Sequence, residues 1–395
     1  MNVKFSTKFV AASAAAVMAL SLAGCSGGSM DDSSSSGAKA SGDSITIGTV
    51  TTNSGTAAAY GEAEVKGFEL AVSEINAKGG INGKKVKLES MDDKGDATEA
   101  SNAYNKLAGD NNVLAVAGPT ISATTAAVAP LADQSKLVTI APAATSDSIE
   151  TGNYLFRTCF KDSYQGEVAA RFAAENLKVK KVAVLYGTGD PYSSGVGEAF
   201  AKAAEKLGLE VVDKESSSSA DDTEYSAQLQ KIQASGAELL YAPYYYSVAG
   251  PYIIPQARSV GFEGYVMGPD GYDGLKLTGD KSQYNKTYYT THYSADDNTN
   301  TKVQDFIKSY KSKNNAEPNT FAALGYDTIY MIKQAIEKAG ENATREDVRN
   351  AVAGMTFDGV TGKFTMDKSG SPTKSVTVLE MKDGKPVYNT TVQPK

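Results

Sequence analysis

The sequence predicts an α/β protein made of two doubly wound, parallel-sheet lobes joined by a three-strand hinge. From Ile45 onward, short β-branched runs alternate with longer helical patterns, which is typical of βαβ units around parallel sheets. After residue 290 this alternation gives way to three helices and a tail of short strands, as expected if late segments cross back to complete each sheet. The roughly 350 residues beyond position 44 are also more than one hydrophobic core usually organises.

The predicted elements follow one another in a regular order. Strands are predicted at 45–50, 85–90, 113–117, 137–140, 181–186, 210–214, 238–242 and 265–268. Helices are predicted between them at 62–77, 98–108, 122–133, 164–176, 194–207 and 225–234. Lys78-Gly79-Gly80 ends the first helix, because glycine readily takes the left-handed conformation of a helix C-terminus. The last part is predicted to hold helices at 301–313, 320–339 and 345–353, and strands at 363–366, 375–381 and 387–393.

The first 44 residues predict export and attachment. Residues 1–24 have a basic start, an apolar alanine-rich stretch shorter than the ~20 residues that span a bilayer, and small residues before Cys25. This pattern resembles the signal peptide and lipobox of bacterial lipoproteins, which implies that Cys25 is lipidated. Residues 25–44 are then the lipidated cysteine and a flexible Ser/Gly tether, since they cannot bury enough apolar surface to fold. An ordinary signal peptide with an incidental cysteine is the alternative.

The charge and the cysteines exclude several properties. Cleavage would remove Lys4 and Lys8, two of the 39 basic residues, and change the net charge from −7 to −9. Nucleic acid and anionic lipid both require clustered basic residues, so neither is expected as a partner. Besides Cys25 the sequence contains only Cys159, so no intrachain disulfide is available to the folded body.

No catalytic constellation is found in the sequence, and we predict that the protein is not an enzyme. The single histidine, His292, stands where a strand ends without a Gly-x-Ser-x-Gly elbow, and we interpret it as a structural or surface residue. The segment 79–85 lacks the spacing of a phosphate loop and is better explained as a helix stop and hairpin. The paired aspartates have no metal-loop spacing, so neither a metal nor a cofactor is predicted.

Small, hydroxyl-bearing segments after strands suggest a binding site instead. The segment 118–122 runs from a strand into a helix, so helix-start amides and the Ser122 hydroxyl could hold a carboxylate, or Ser122 could simply cap its helix. The segment 141–145 would let a ligand approach the backbone, or form a plain turn. Asp270 could pair with an ammonium, or belong to a Pro-Asp-Gly turn. The tyrosines at 244–246 are equally compatible with core and pocket.

Taken in order, these segments resemble the branched-chain amino-acid-binding proteins of ABC transporters, which have the type I periplasmic-binding fold. The resemblance covers essentially the whole chain beyond the tether. It rests on the residues at 54–55, 60–61, 74–83, 141–145, 156–158, 162–166, 256–261, 268–271 and 322–327.

The resemblance implies a solute-binding lipoprotein that closes two lobes on an amino acid, with leucine, isoleucine or valine expected, and delivers it to a membrane permease. Both charges of the amino acid would then need partners, because the zwitterion loses its water in a closed cleft. The implied carboxylate partners are Ser122, Ala143 and Thr145, and Thr145 would also reach the rest of the amino-acid head group. The implied ammonium partners are Asp270 and Tyr246. The side-chain pocket would be lined by Tyr60, Tyr192 and Tyr326.

The resemblance also implies the division of the chain. The N-terminal lobe would comprise 45–161 and 292–372, and the C-terminal lobe 162–291 and 373–395, with hinges near Lys161, Thr291 and Pro372. The protein would be a monomer anchored by lipid on the extracytoplasmic face, either at the surface of a Gram-positive-type cell or in a periplasm. It would contact ABC permease subunits and need no cofactor.

Two departures from the family bear on the ligand. Asp270 stands where the family often has Glu, and the neighbourhood of Gly95 and Ile121 lacks the disulfide of some members. The alternatives are the same fold binding an amide, urea or another small organic solute, and a ligand sensor that feeds a membrane signalling protein.

Overall fold

Two β-sheets organise the protein. The computed structural model describes residues 43–149, 153–219, 221–296 and 300–394. The predicted signal peptide, Cys25 and nearly all of the predicted tether lie outside the described residues. Sheet I has five strands in the order β2-β1-β3-β4-β5, and sheet II has seven in the order β14-β13-β10-β9-β8-β6-β7.

Sheet I is entirely parallel and is built by the first part of the chain. Its strands are β1 (Ser44–Thr51), β2 (Lys85–Asp92), β3 (Val113–Ala117), β4 (Val138–Ala141) and β5 (Leu155–Arg157). The connecting helices are α1 (Ala58–Ala77), α2 (Ala97–Gly109) and α3 (Ser122–Ser135). Because β3 lies on the opposite side of β1 from β2, the strand order reverses beside β1 and opens a crevice at the carboxyl ends of β1 and β3.

The first five strands of sheet II are parallel and are wound like those of sheet I, whereas its last two strands are antiparallel. Its parallel strands are β6 (Lys181–Gly187), β7 (Glu210–Ser217), β8 (Leu239–Tyr241), β9 (Tyr265–Gly268) and β10 (Thr287–Thr291). The helices among them are α4 (Asp162–Glu175), α5 (Pro191–Lys206), α6 (Ser226–Ala234), and the short α7 (Tyr246–Val248) and α8 (Ile254–Ser259), which flank a π-helical turn at Ala249–Ile253. The strand order reverses beside β6, which gives a second crevice between β6 and β8.

The chain passes between the two sheets three times. The first connection, 158–161, leads from β5 to α4, and the second follows β10. The second leads to α9 (Thr301–Asn314), α10 (Thr320–Ala339) and α11 (Arg345–Val352), which pack against α1, β3 and β4. A hairpin of β11 (Thr356–Gly359) and β12 (Gly362–Thr365) then precedes the third connection, 366–375, into β13 (Val376–Lys382) and β14 (Lys385–Val392). The predicted hinge positions Lys161, Thr291 and Pro372 fall within or at the ends of these three connections.

The predicted α/β fold class with doubly wound parallel sheets is confirmed, with two differences at its end. β13 and β14 pair antiparallel, because Asp383 and Gly384 both have positive φ (50° and 75°) and form a two-residue hairpin turn. β11 and β12 form a separate two-stranded sheet and do not extend sheet I. Among the described residues no helix is both long and apolar enough to cross a membrane.

Candidate functional site

The site lies where the crevices of the two sheets meet. Loops after β1, β3 and β4 face loops after β6, β8 and β9 across a cavity with an empty volume of about 250 Å³. The residues that line it are Tyr60, Thr120, Ile121, Ser122, Ala143, Tyr192, Tyr245, Asp270, Gly271 and Phe321. The structure therefore brings together five of the predicted site residues, namely Tyr60, Ser122, Ala143, Tyr192 and Asp270.

The N-terminus of α3 supplies hydrogen-bond donors to one side of the cavity. Ile121 occupies the N-cap position and provides no side-chain cap, so the first amides of the helix have no capping partner. Ser122 is the first helical residue and is 2 % exposed, and its hydroxyl oxygen accepts a hydrogen bond from the backbone N–H of Ser146 (3.1 Å). The structure thus decides against Ser122 as the cap. Its O–H remains available to donate, beside a helix terminus that favours anions.

The loop after β4 is held rigidly beside this helix terminus. Ala143 lines the cavity, and the Thr145 side chain is fully buried. The Arg157 guanidinium donates to the backbone carbonyls of Thr145 (2.8 Å) and Ser146 (3.1 Å), which fixes the loop from below. The buried Thr145 hydroxyl lies against the Asp162 carboxyl group and partly offsets the rise that burial causes in the pKa of that group.

The opposite side of the cavity presents the Asp270 carboxylate. Asp270 is 2 % exposed and follows β9 directly. Tyr192 Oη donates to Asp270 Oδ1 (2.8 Å), and His292 Nε2 lies 3.2 Å from Asp270 Oδ2. The Tyr192 hydroxyl also accepts from the Gly271 amide (2.8 Å). Asp270 does belong to a tight turn, as one interpretation of the Pro-Asp-Gly motif predicted, but the turn directs its carboxylate into the site.

A second buried carboxyl group lies close to the first. Asp162, at the start of α4, is fully buried, and Gln165 Nε2 donates to its Oδ1 (2.7 Å). The Thr145 hydroxyl also lies against this carboxyl group. Burial, and secondly the negative charge of Asp270, raise the pKa of Asp162 well above its usual value. Two buried carboxyl groups without a basic partner would be stabilised by a cationic group placed between them.

Aromatic rings form the remaining wall. Tyr60 stacks on Phe321 (centroids 3.9 Å apart, 21° between planes), and Tyr192 stacks on Tyr245 (5.3 Å, 5°). These rings surround a small apolar space next to the polar groups. Such a wall suits a ligand with a polar head and a short hydrocarbon side chain.

Three predicted site residues lie outside the cavity lining: Thr145, which is buried beneath it, Tyr246 and Tyr326. Tyr246 packs at an angle on Tyr60, and its hydroxyl accepts a hydrogen bond from the Ala59 amide (3.2 Å). The neighbouring Tyr245 lines the cavity instead. Tyr326 is directed away, and its hydroxyl donates to Glu74 Oε2 (2.7 Å) in a separate groove. Five residues of α-helix rotate a side chain by about 140°, so α10 presents Phe321 to the cavity and Tyr326 to another face.

Sequence reasoning missed several residues of the site. Asp162 belongs to the segment 162–166 that contributes to the family resemblance, but no role is predicted for it. Its position directly after the first connection between the sheets is a signal that could have placed it near the site. His292 was interpreted as structural or surface, and it is buried (4 % exposed) against Asp270. Nothing in the sequence distinguished Phe321 from the other apolar residues of α10.

The fold and the site together define a binding protein for a small molecule with a polar head group, held between two α/β lobes. The chain belongs to the periplasmic binding protein family, whose model matches residues 44–386. The family name describes binding rather than catalysis, in agreement with the prediction that the protein is not an enzyme.

Relatives and solved structures agree with this assignment. A Leu/Ile/Val-binding protein homolog from Brucella melitensis is 30% identical over 348 residues, which cover 86% of this chain and 92% of the relative. The structure of LivJ, a branched-chain amino acid transporter substrate-binding protein from Streptococcus pneumoniae in complex with isoleucine, matches with 32% identity and a TM-score of 0.82, covering 89% of this chain and 100% of that one. LivK, a leucine-binding protein from Thermotoga maritima, matches with 30% identity and a TM-score of 0.82, covering 89% and 99%.

Proposed function

We propose that the protein captures an α-amino acid with a branched aliphatic side chain in the cavity between its two sheets and delivers it to an ABC permease. One observation carries the proposal: the same cavity has hydrogen-bond donors for an anion on one side and the Asp270 carboxylate for a cation on the other. An amino-acid zwitterion carries both charges on one carbon atom and would satisfy both sides at once.

The carboxylate of the ligand is proposed to bind at the N-terminus of α3. Ser122 would donate its hydroxyl and amide protons, with Thr145 and the backbone at Ala143 beside it. The ammonium would lie against Asp270.

The side chain of the ligand is proposed to occupy the aromatic wall of Tyr60, Tyr192, Tyr245 and Phe321. The name of the Brucella melitensis relative refers to leucine, isoleucine and valine, and the Streptococcus pneumoniae structure contains isoleucine.

A ligand screen tests the proposal. Purified protein is titrated with the twenty common amino acids in thermal-shift and calorimetric assays, and leucine, isoleucine or valine should bind most tightly. At a hundredfold excess over the dissociation constant, the ligand should add about 2.7 kcal/mol to the free energy of unfolding. Leucinamide, which lacks the carboxylate, and the 2-hydroxy analogue of leucine, which lacks the ammonium, should both bind more weakly. A stronger response to an amide, urea or another organic acid than to any amino acid would overturn the proposed ligand.

Attachment to a membrane through Cys25 completes the proposal. A lipid-anchored binding protein stays within reach of its permease, whereas a free one would diffuse from a cell that has a single membrane. Replacing Cys25 by serine should move the protein from the membrane fraction to the medium without changing its affinity for amino acids. Retention of the Cys25→Ser protein in the membrane fraction would contradict lipidation at this residue. If the protein is a sensor instead, deletion of the gene would abolish a signalling response and leave uptake intact.

A further inference from the structure

His292 occupies a position that the proposed function does not use. It is the first residue after β10, at the start of the second connection between the sheets, and it is the only histidine of the chain. Its side chain is buried at the back of the ligand cavity, behind Asp270.

The contact with Asp270 defines the state of the imidazole. Burial lowers the pKa of His292 to about 4, so the ring is neutral at physiological pH. A neutral ring next to a carboxylate oxygen donates from Nε2, because the other tautomer would set a lone pair against the negative charge. The remaining nitrogen, Nδ1, has no hydrogen-bond partner among the described residues, as an unprotonated ring nitrogen in an apolar setting allows.

The other contact of the ring fixes its plane. His292 stacks on Phe160, with centroids 3.6 Å apart and 22° between the planes. Phe160 belongs to the first connection between the sheets, and it packs in turn against Val376 at the start of β13, where the third connection ends. The imidazole is therefore held between the first and second connections, and its Nε2 is directed at Asp270.

We propose that His292 is a positioning residue for the ammonium site: as a donor held against Phe160, it fixes the Asp270 carboxylate so that the carboxylate faces the amine of the ligand. The inference rests on the proposed function and deepens it. The carboxylate of Asp270 could rotate about its short side chain. Tyr192 hydrogen-bonds one carboxylate oxygen and His292 hydrogen-bonds the other. With both oxygens anchored, their remaining lone pairs stay oriented toward the cavity when it opens and closes.

Two substitutions separate the hydrogen bond from the stacking. His292→Phe keeps a ring that can stack on Phe160 but removes the donor, and it should weaken leucine binding about tenfold or more. The 2-hydroxy analogue of leucine carries no ammonium, so its affinity should fall by less than about threefold. His292→Gln retains a side-chain N–H donor and should recover part of the leucine affinity. Equal losses for leucine and the analogue, or an unchanged leucine affinity, would overturn the inference.

The wild-type protein offers a test that does not depend on a variant folding. Because the chain has one histidine, an ¹⁵N-histidine spectrum reports His292 alone. It should show one neutral tautomer, protonated at Nε2, throughout about pH 5 to 8, and leucine should shift the Nε2 resonance more than the hydroxy analogue does. The titratable groups that act on Asp270 or His292, and whose effects the pH series must separate, are Tyr60, Cys159, Asp162, Tyr192, Tyr241, Asp273 and Lys374.

The failure of this inference can be distinguished from the failure of the proposed function. If no amino acid binds wild-type protein, the proposed function is wrong and the variants are irrelevant to it. If leucine binds but leaves the His292 resonance unmoved, or if Nε2 is the unprotonated nitrogen of a neutral ring, the positioning role is excluded.

Discussion

Asp270 is buried at the end of β9 with Tyr192 and His292 as its side-chain donors, and these neutral groups do not cancel its charge. An ammonium ligand would do so. Asp270→Asn preserves the shape and removes the charge, so it should weaken leucine binding by roughly 2–5 kcal/mol in calorimetry. Asp305→Asn, the same change on the exposed face of α9, is the matched control and should bind as wild type does. Unchanged affinity in the Asp270→Asn protein would show that Asp270 is a structural residue of the turn and does not bind the ammonium.

Asp273 predicts a dependence of stability on pH. Burial raises its pKa to about 6, and its Oδ2 accepts a hydrogen bond from the Thr320 amide (3.0 Å). Because the folded protein holds this proton more tightly than the unfolded chain, whose Asp pKa is about 3.9, the contribution of Asp273 is greatest below pH 4 and is lost as pH rises through 6. Asp273→Asn removes this loss.

The measurement for Asp273 is the difference in free energy of unfolding between variant and wild type, without ligand, at several pH values. The difference should move in favour of Asp273→Asn by about 2–3 kcal/mol between about pH 4 and 7. A constant offset from altered packing does not affect this slope. A difference that is independent of pH would show that Asp273 titrates alike in the folded and unfolded chains.

At the scale of a single element, the N-terminus of α3 forms the side of the cavity at which we propose that the carboxylate of the ligand binds. Ser122→Ala removes the hydroxyl that accepts from the Ser146 amide and would donate to the ligand. We expect leucine affinity to fall by about 1–3 kcal/mol, and the affinity for leucinamide to fall less, because the amide has no carboxylate to lose. Ser135→Ala, at the opposite end of α3, is the control and should leave both affinities unchanged. Equal losses for both ligands would contradict a carboxylate site at this helix terminus.

The elements themselves were largely predictable from sequence. β3, β9 and α10 have the predicted bounds, because β-branched runs and a long 3.6-residue periodicity are strong local signals. β5 was not predicted, since three residues are too few to show alternation, and β11 was missed beside its partner β12. Short strands of this kind form because neighbouring elements offer them hydrogen-bond partners, and this information is not local.

The candidate site shows the same division between local and non-local information. Ser122 and Asp270 were predictable, because residues just after parallel strands meet at one edge of a sheet. Whether Phe321 or Tyr326 lines the cavity depends on which face of α10 is turned inward. Whether Tyr245 or Tyr246 lines it depends on which of these two adjacent side chains points into the cavity. Both are set by packing between distant parts of the chain. His292 escaped prediction because its partner, Asp270, is reached only through the pairing of β9 with β10.

At the scale of the whole molecule, direct hydrogen bonds connect the two sides of the cavity and define a closed arrangement. The Tyr60 hydroxyl donates to the Gly271 carbonyl and accepts from the Tyr246 amide (3.0 Å), so one side chain of α1 joins two loops of sheet II. Nearby, Ser247 Oγ donates to the Thr56 carbonyl (2.7 Å). If closure is an equilibrium that the ligand shifts, these bonds determine how far the protein closes without it.

Tyr60→Phe tests this coupling, because it removes both hydrogen bonds and keeps the ring that stacks on Phe321. At about 0.5–1.5 kcal/mol per bond, the ligand-free equilibrium should shift toward the open form by about 1–3 kcal/mol, with a similar loss of leucine affinity. X-ray scattering should then give a larger radius of gyration for the ligand-free variant and a larger contraction when leucine is added. Tyr104→Phe is the matched control: its hydroxyl bonds to the Leu137 carbonyl and the Thr139 hydroxyl, far from the loops of sheet II, so it should lower stability without changing the scattering. A ligand that binds the closed form must supply the free energy that favours the open form. A variant that opens without losing affinity would therefore show that closure and binding are not coupled through Tyr60.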